Sequence, residues 1–125
     1  MCEGMSKYAA RVPLRIKDLD EIDDYCYYVA GTVGYMLCDL FFSHTSLIGF
    51  KRFEKMKSLA NSFGLGLQLT NIIKDVKDDY ARGVSFVPES LYVKYGVNPD
   101  NVLNEETRTQ AQTVLRELGS KARQH

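Results

Sequence analysis

Asn71, Asp75 and Asp79 recur at intervals of four in the segment Gln68-Leu-Thr-Asn71-Ile-Ile-Lys74-Asp75-Val-Lys77-Asp78-Asp79. On a helix, residues spaced in this way stack along one face. The row presents two carboxylates and an amide oxygen on one line, and Gln68 extends it. These are hard oxygen donors of the kind Mg²⁺ accepts, and Mg²⁺ usually takes one or two carboxylates and completes its shell with water and substrate phosphate. The chemistry suggested is capture of a metal-bridged diphosphate. Lys74 and Arg82 flank the row and suit phosphate oxygens, arginine through a bidentate fork and lysine as a point charge. The plainer reading is a solvated face whose acids pair with Lys74 and Lys77. Context strengthens the metal reading and leaves both open, because the acids follow the nearly uncharged run Leu65 to Ile73 and so end a largely buried helix.

The elements that must position this row read as all-α. Apolar residues recur at helical spacing almost everywhere, and only Val84-Ser-Phe-Val-Pro88 reads as extended. A short helix is expected over Glu3 to Ala10, stopping near Pro13. A second begins at Asp18, where Asp18 and Glu21 make a capping-box pattern, and runs to Phe42 with one broad face buried. A third pattern runs from about Ile48 to about Tyr80. Gly64 and Gly66 inside it suggest either a kink or a close approach of a neighbour or ligand to the backbone. A helical turn is expected at Glu89 to Tyr95, a break at Gly96 to Asn98, and a last amphipathic helix from Glu105 to about Arg123 with Asn104 as its cap.

Composition restricts the partners. The 125 residues are 45% apolar and 26% charged, with 16 basic and 16 acidic side chains, so no net field draws the chain to nucleic acid. The cysteines, Cys2, Cys26 and Cys38, lack CxxC spacing, which points to a reducing cytoplasm. Met1 to Arg15 has no secretory pattern, and the apolar stretch Tyr25 to Phe42 reads as a core helix rather than a membrane span because of its tyrosines, small residues and Asp39.

The string Gly66-Leu-Gln-Leu-Thr-Asn-Ile-Ile-Lys-Asp-Val-Lys-Asp-Asp79, followed by Arg82-Gly83 and Phe86-Val-Pro88, resembles the second aspartate-rich signature of squalene and phytoene synthases. Upstream, Tyr25-Cys-Tyr-Tyr-Val29-Ala-Gly-Thr-Val33-Gly34 is similar to the tyrosine-containing helix of the same enzymes. The resemblance implies an isoprenoid-synthase helical bundle, present here as a single partial domain over 1–125, whose cavity holds two prenyl diphosphates. It implies Asn71, Asp75 and Asp79 as Mg²⁺ ligands, Gln68 in support, and Tyr25 facing the reacting carbons. Val29, Val33, Gly34, Leu37, Ala60 and Gly64 would wall the prenyl cavity, although plain helix packing would use the same residues. The implied reaction is head-to-head condensation of two farnesyl or geranylgeranyl diphosphates through a cyclopropylcarbinyl diphosphate. The product is of squalene or phytoene type, and metal charge on the leaving group is the main electrostatic lever.

Two departures from that pattern stand out. Val84 occupies a position where phytoene-type members usually carry arginine, leaving Arg82 as the substitute. The first aspartate-rich motif has no counterpart in these residues, since Asp20-Glu-Ile-Asp23-Asp24 sits at a helix start, where acids favour the dipole. Three readings therefore stay open: part of a prenyltransferase, a non-catalytic assembly protein of the same fold, and a diphosphate-binding fragment without turnover. Retention of Asn71, Asp75 and Asp79 argues against the second, and the chain alone is expected to be inactive. Prenyl diphosphates are the implied partners, with peripheral membrane contact and self-association through an uncovered apolar face left open. No GxGxxG fingerprint appears, so NADPH use is neither assigned nor excluded.

Overall fold

The computed structural model describes residues 2–125. Helix α1 spans Cys2–Ala9, α2 Leu19–Cys26, α3 Thr32–His44, α4 Phe50–Ala81, α5 Glu89–Lys94 and α6 Arg108–Ala122. A π-helical turn, Tyr27–Gly31, carries α2 into α3 without a break, and the 3-10 turns Pro99–Asn101 and Glu105–Thr107 lie between α5 and α6. Among the described residues there is no strand. The extended segment after α4 instead makes one parallel bridge, Arg15 to Ser85. Its flanking bonds run from Ser85 N to Leu14 O at 2.9 Å and from Ile16 N to Ser85 O at 3.0 Å.

Local chemistry explains the main boundaries. Asp18 accepts a hydrogen bond from Glu21 N at 2.9 Å, as its sequence position demands, while the Glu21 carboxylate reaches back to Lys17 N at 2.6 Å. α4 runs unbroken through Gly64 and Gly66, so the alternative of close approach holds and the kink does not form. The reason is tertiary: a Cβ on Gly64 would lie 2.7 Å from Ala30 O, which leaves room only for glycine. The last helix starts later than its pattern suggests. Asn104 makes no side-chain cap, and Glu105–Thr107 is a 3-10 turn ahead of α6.

The core gathers at one end. Tyr8, Ile16, Ile22, Leu69, Val114 and Leu118 are buried there, drawn from α1, α2, the second half of α4, α6 and the intervening loop. Lys121 Nζ ties α6 to α2 through Asp23 at 2.9 Å, and Lys94 ties α5 to α6 through Glu117 at 2.9 Å.

At the other end the broad face expected to be buried from Asp18 to Phe42 is covered in α2, where Ile22, Tyr25 and Cys26 are buried, but not in α3. In α3 only Cys38 is buried, while Met36, Leu40 and Phe41 are about half exposed, because no element of the described chain packs over them. The total accessible surface is 8016 Å². A compact monomer of this mass would show about 6,800 Å². Even so, among the described residues no helix is long and apolar enough to cross a membrane. Cys26 and Cys38 are free and buried, and the side chain of Cys2 lies outside the described residues.

Candidate functional site

α3 and the first half of α4 form an antiparallel pair whose backbones nearly touch. A Cβ on Gly34 would lie 2.7 Å from Ala60 O, mirroring the contact of Gly64 with Ala30. Where small residues let the helices meet, the larger neighbours are pushed to the rims, and a groove opens between them. It has a cavity volume of about 540 Å³ and an almost wholly apolar lining. Val29, Val33, Gly34, Leu37, Ala60 and Gly64 all line it, with Gln68 as its polar end. Cys38, Phe41, Met56, Leu59, Phe63 and Leu67 line it too. The spacing of Met56, Leu59, Ala60, Phe63, Gly64, Leu67 and Gln68, alternating three and one, is the signal that would have found the α4 wall.

The acidic row continues that same stripe of α4. At 100° per residue, Gly64, Gln68, Asn71, Asp75 and Asp79 fall within about 80° of one another around the helix. Along the axis, Gln68 to Asp75 covers about 10 Å. The row is graded in exposure. The Asp75 side chain is 44% exposed, with Lys74 Nζ 3.6 Å away, whereas that of Asp79 is only 8% exposed and is ion-paired with the Arg82 guanidinium. Asn71 and Gln68 are half-buried.

The donor set suits part of an Mg²⁺ shell: two carboxylates and an amide oxygen, with the remaining positions left to water and phosphate. Among the described residues no three acidic, histidine or cysteine side chains converge into a ready-made cage. A divalent ion held here alone would therefore be held weakly.

Tyr25 lies on the Asp79 side and not in the groove. Its ring stacks on Phe86 at 4.9 Å and meets Tyr8 edge-on at 5.2 Å, which leaves the residue 8% exposed. Burial raises its hydroxyl above the ordinary value, and the nearby Cys26 and Asp79 add to the effect. Tyr25 therefore sits beside the acidic row, while Val29 and Val33 line the groove. Phe86, carried in on the extended segment after α4, covers the ring. The Val84 amide donates to Asp79 O at 3.0 Å and closes the turn at Gly83, whose φ is +74°.

The upstream acids are occupied structurally. Asp24 accepts from the Tyr8 hydroxyl at 2.6 Å and from Lys7 at 2.9 Å, and Asp23 pairs with Lys121. Both lie in the second half of α2, where these partners on α1 and α6 hold them, whereas Asp20 and Glu21 occupy its first turn, where acids favour the dipole.

The family model for squalene/phytoene synthase matches residues 1–125. Over the whole chain, "Inactive squalene synthase 2" of Arabidopsis thaliana is 34% identical, "Squalene synthase 1" of the same plant 32%, and the squalene synthase of Cyberlindnera jadinii 34%. The solved complex of TcSQS with a ligand superposes on 95% of the chain with a TM-score of 0.80 at 30% identity, and the chain covers 34% of that structure. The chain spans about 30% of the length of the plant relatives. One relative called inactive matches as well as those called synthases, so overall identity does not decide activity. Helical architecture, the glycine-tight groove and the polar row ending it agree with the match over every residue: this chain belongs to the squalene/phytoene synthase family.

Proposed function

We propose that this chain supplies one half of a prenyl-diphosphate condensing site. In this reading the α3/α4 groove takes a prenyl chain, and Asn71, Asp75 and Asp79 hold Mg²⁺ against its diphosphate. One observation carries the reading: a single stripe of α4 is apolar where it walls the groove and becomes a row of oxygen donors just past Gln68. A ligand with an apolar tail and an anionic head matches that change of character.

Bound Mg²⁺ would supply positive charge for departure of the diphosphate. The residues of the chain orient the two ends. Gln68 marks the boundary between apolar groove and polar row, Lys74 and Arg82 reach phosphate oxygens, and Val33, Leu37 and Leu67 exclude water from the chain. In the full reaction one diphosphate leaves, the double bond of the other substrate attacks the allylic cation, and loss of a proton closes the ring of a cyclopropylcarbinyl diphosphate. Departure of the second diphosphate then leads to a phytoene-type product by proton loss or, with a hydride donor, to a squalene-type one. Tyr25, beside Asp79 under Phe86, lies at the diphosphate end and serves that step once Phe86 moves or a second half reshapes the pocket.

Because one acidic row leaves the diphosphate largely in water, turnover requires a facing row from outside these residues, in cis or in trans. The non-catalytic assembly reading gains no specific support from the geometry.

Calorimetry with Mg²⁺ and a non-hydrolysable farnesyl thiolodiphosphate tests the proposal. Mg²⁺ binding should require the analogue, and Asp75→Ala should abolish it. Equal Mg²⁺ uptake without the analogue, or unchanged binding in Asp75→Ala, would refute the reading.

A further inference from the structure

Asp79 is the one acid of the row that the fold encloses. Its side chain is 8% exposed, and among the described residues its only ion-pair partner is Arg82, whose own side chain is 69% exposed. The main chain there is fixed. Arg82 N donates to Asp78 O and Asp79 O at 3.2 and 3.0 Å, and Val84 N donates to Asp79 O at 3.0 Å. Arg82 is thus a long, solvated arm on a rigid base, with its charged end resting on a buried carboxylate.

A buried carboxylate without a cation is costly, so Asp79 needs a positive partner whether or not a metal is present. Arginine and a divalent cation compete for the same oxygens. A diphosphate removes the conflict, because it brings the metal and also offers Arg82 a better, bidentate anion. We propose that Arg82 is a placeholder: it holds Asp79 in the ligand-free chain, then releases it to the metal and turns onto the incoming diphosphate. The proposal rests on the metal and diphosphate reading above and deepens it, since it makes metal uptake conditional on the diphosphate.

The exchange gives Arg82→Gln opposite effects on two ligands. Mn²⁺ alone, followed by its electron paramagnetic resonance signal, should bind on the order of tenfold more tightly, because its competitor is gone. Mg²⁺-pyrophosphate, followed by calorimetry, should bind on the order of tenfold more weakly, because a charge-assisted contact is lost. Arg82→Lys, which keeps the charge without the fork, should recover only part of the pyrophosphate affinity. A merely structural ion pair would weaken both ligands together, and a pure phosphate contact would leave Mn²⁺ unchanged. Either result overturns the placeholder role. Asp75→Ala separates the two levels. If it weakens both ligands while Arg82→Gln alters neither, the placeholder alone fails; if it changes neither, or the wild-type chain binds neither, the underlying site fails with it.

Discussion

Replacing Gly64 and Gly119 by alanine in turn should move stability in opposite directions. Each lies within a helix, where alanine is favoured over glycine by up to about 1 kcal/mol. At Gly119 the added Cβ would meet nothing nearer than Ile73 Cδ1 at 3.9 Å, an ordinary contact, so most of that gain should survive. At Gly64 it would lie 2.7 Å from Ala30 O, 2.8 Å from Ala30 C and 2.9 Å from Gly31 N. These are backbone atoms, which cannot turn aside as a side chain would. α3 and α4 would have to separate, and overpacking of this kind costs about 1–3 kcal/mol. With three backbone contacts under 3.0 Å the cost falls in the upper part of that range, so net of propensity Gly64→Ala should lose about 1–2 kcal/mol and Gly119→Ala should gain up to about 1 kcal/mol. Urea unfolding reads both as shifts of midpoint at constant slope. For a chain of this size the melting temperature should change by about 3–5 °C for each kcal/mol. A Gly64→Ala variant as stable as the parent, beside a stabilised Gly119→Ala, would show that the two helices are not held at the distance described.

Two further outcomes follow from burial. Burial pushes the Cys26 thiol from 9.0 up to about 12, with Asp23 adding to the rise and Lys121 opposing it. A raised value favours the neutral form in the fold, so its contribution is complete below pH 9 and is lost as pH climbs toward 12. Urea midpoints from pH 8.5 to 11 should fall less steeply in Cys26→Ala than in the parent, and parallel slopes would refute the assignment. On the acid side, the Tyr8 hydrogen bond and then Lys7 hold the Asp24 carboxyl below its usual range, so Asp24→Asn should flatten the loss of stability as pH falls through that carboxyl. Finally, Leu40 and Phe63 are 50% and 65% exposed on the uncovered face, and the chain should self-associate through it. Sedimentation of Leu40→Glu with Phe63→Glu should return a monomer; a parent already monomeric at the same concentration would refute this.

Much of the acidic helix was legible in the sequence because its signal is local. Asn71, Asp75 and Asp79 face one way on any helix that forms there, and the capping pair Asp18 and Glu21 is likewise a matter of a few neighbouring residues. The parts that escaped depend on contacts distant along the chain. Phe86 covers Tyr25 because residues 14–16 pair with Ser85, a registry no local pattern reports. The role of Gly64 depends on Ala30, whose backbone lies against it from a different part of the chain. The π turn at Tyr27–Gly31 sits inside an apolar periodicity that reads as ordinary helix. The buried face assigned to α3 was read from its apolar periodicity, which shows only which side of a helix seeks cover and never whether cover is present.

The division of the chain into a packed end and an open end has a chemical consequence. Leu69 and Ile72 belong to the core cluster, so the stretch of α4 bearing Asn71, Asp75 and Asp79 is anchored by α2 and α6 on its other side. The groove-bearing stretch, Met56 to Leu67, is held mainly by α3 and the π turn through close glycine contacts, and its groove side faces water. Metal ligands must be kept within a fraction of an ångström, and a rigid base meets that demand. A prenyl chain needs only an apolar trough of suitable width, which tolerates motion and can be completed by whatever apolar surface lies over it. The boundary between these two requirements falls at Gln68, where the stripe of α4 changes character. Rigidity thus accompanies the charged head of the proposed ligand, and the open, adaptable wall accompanies its tail.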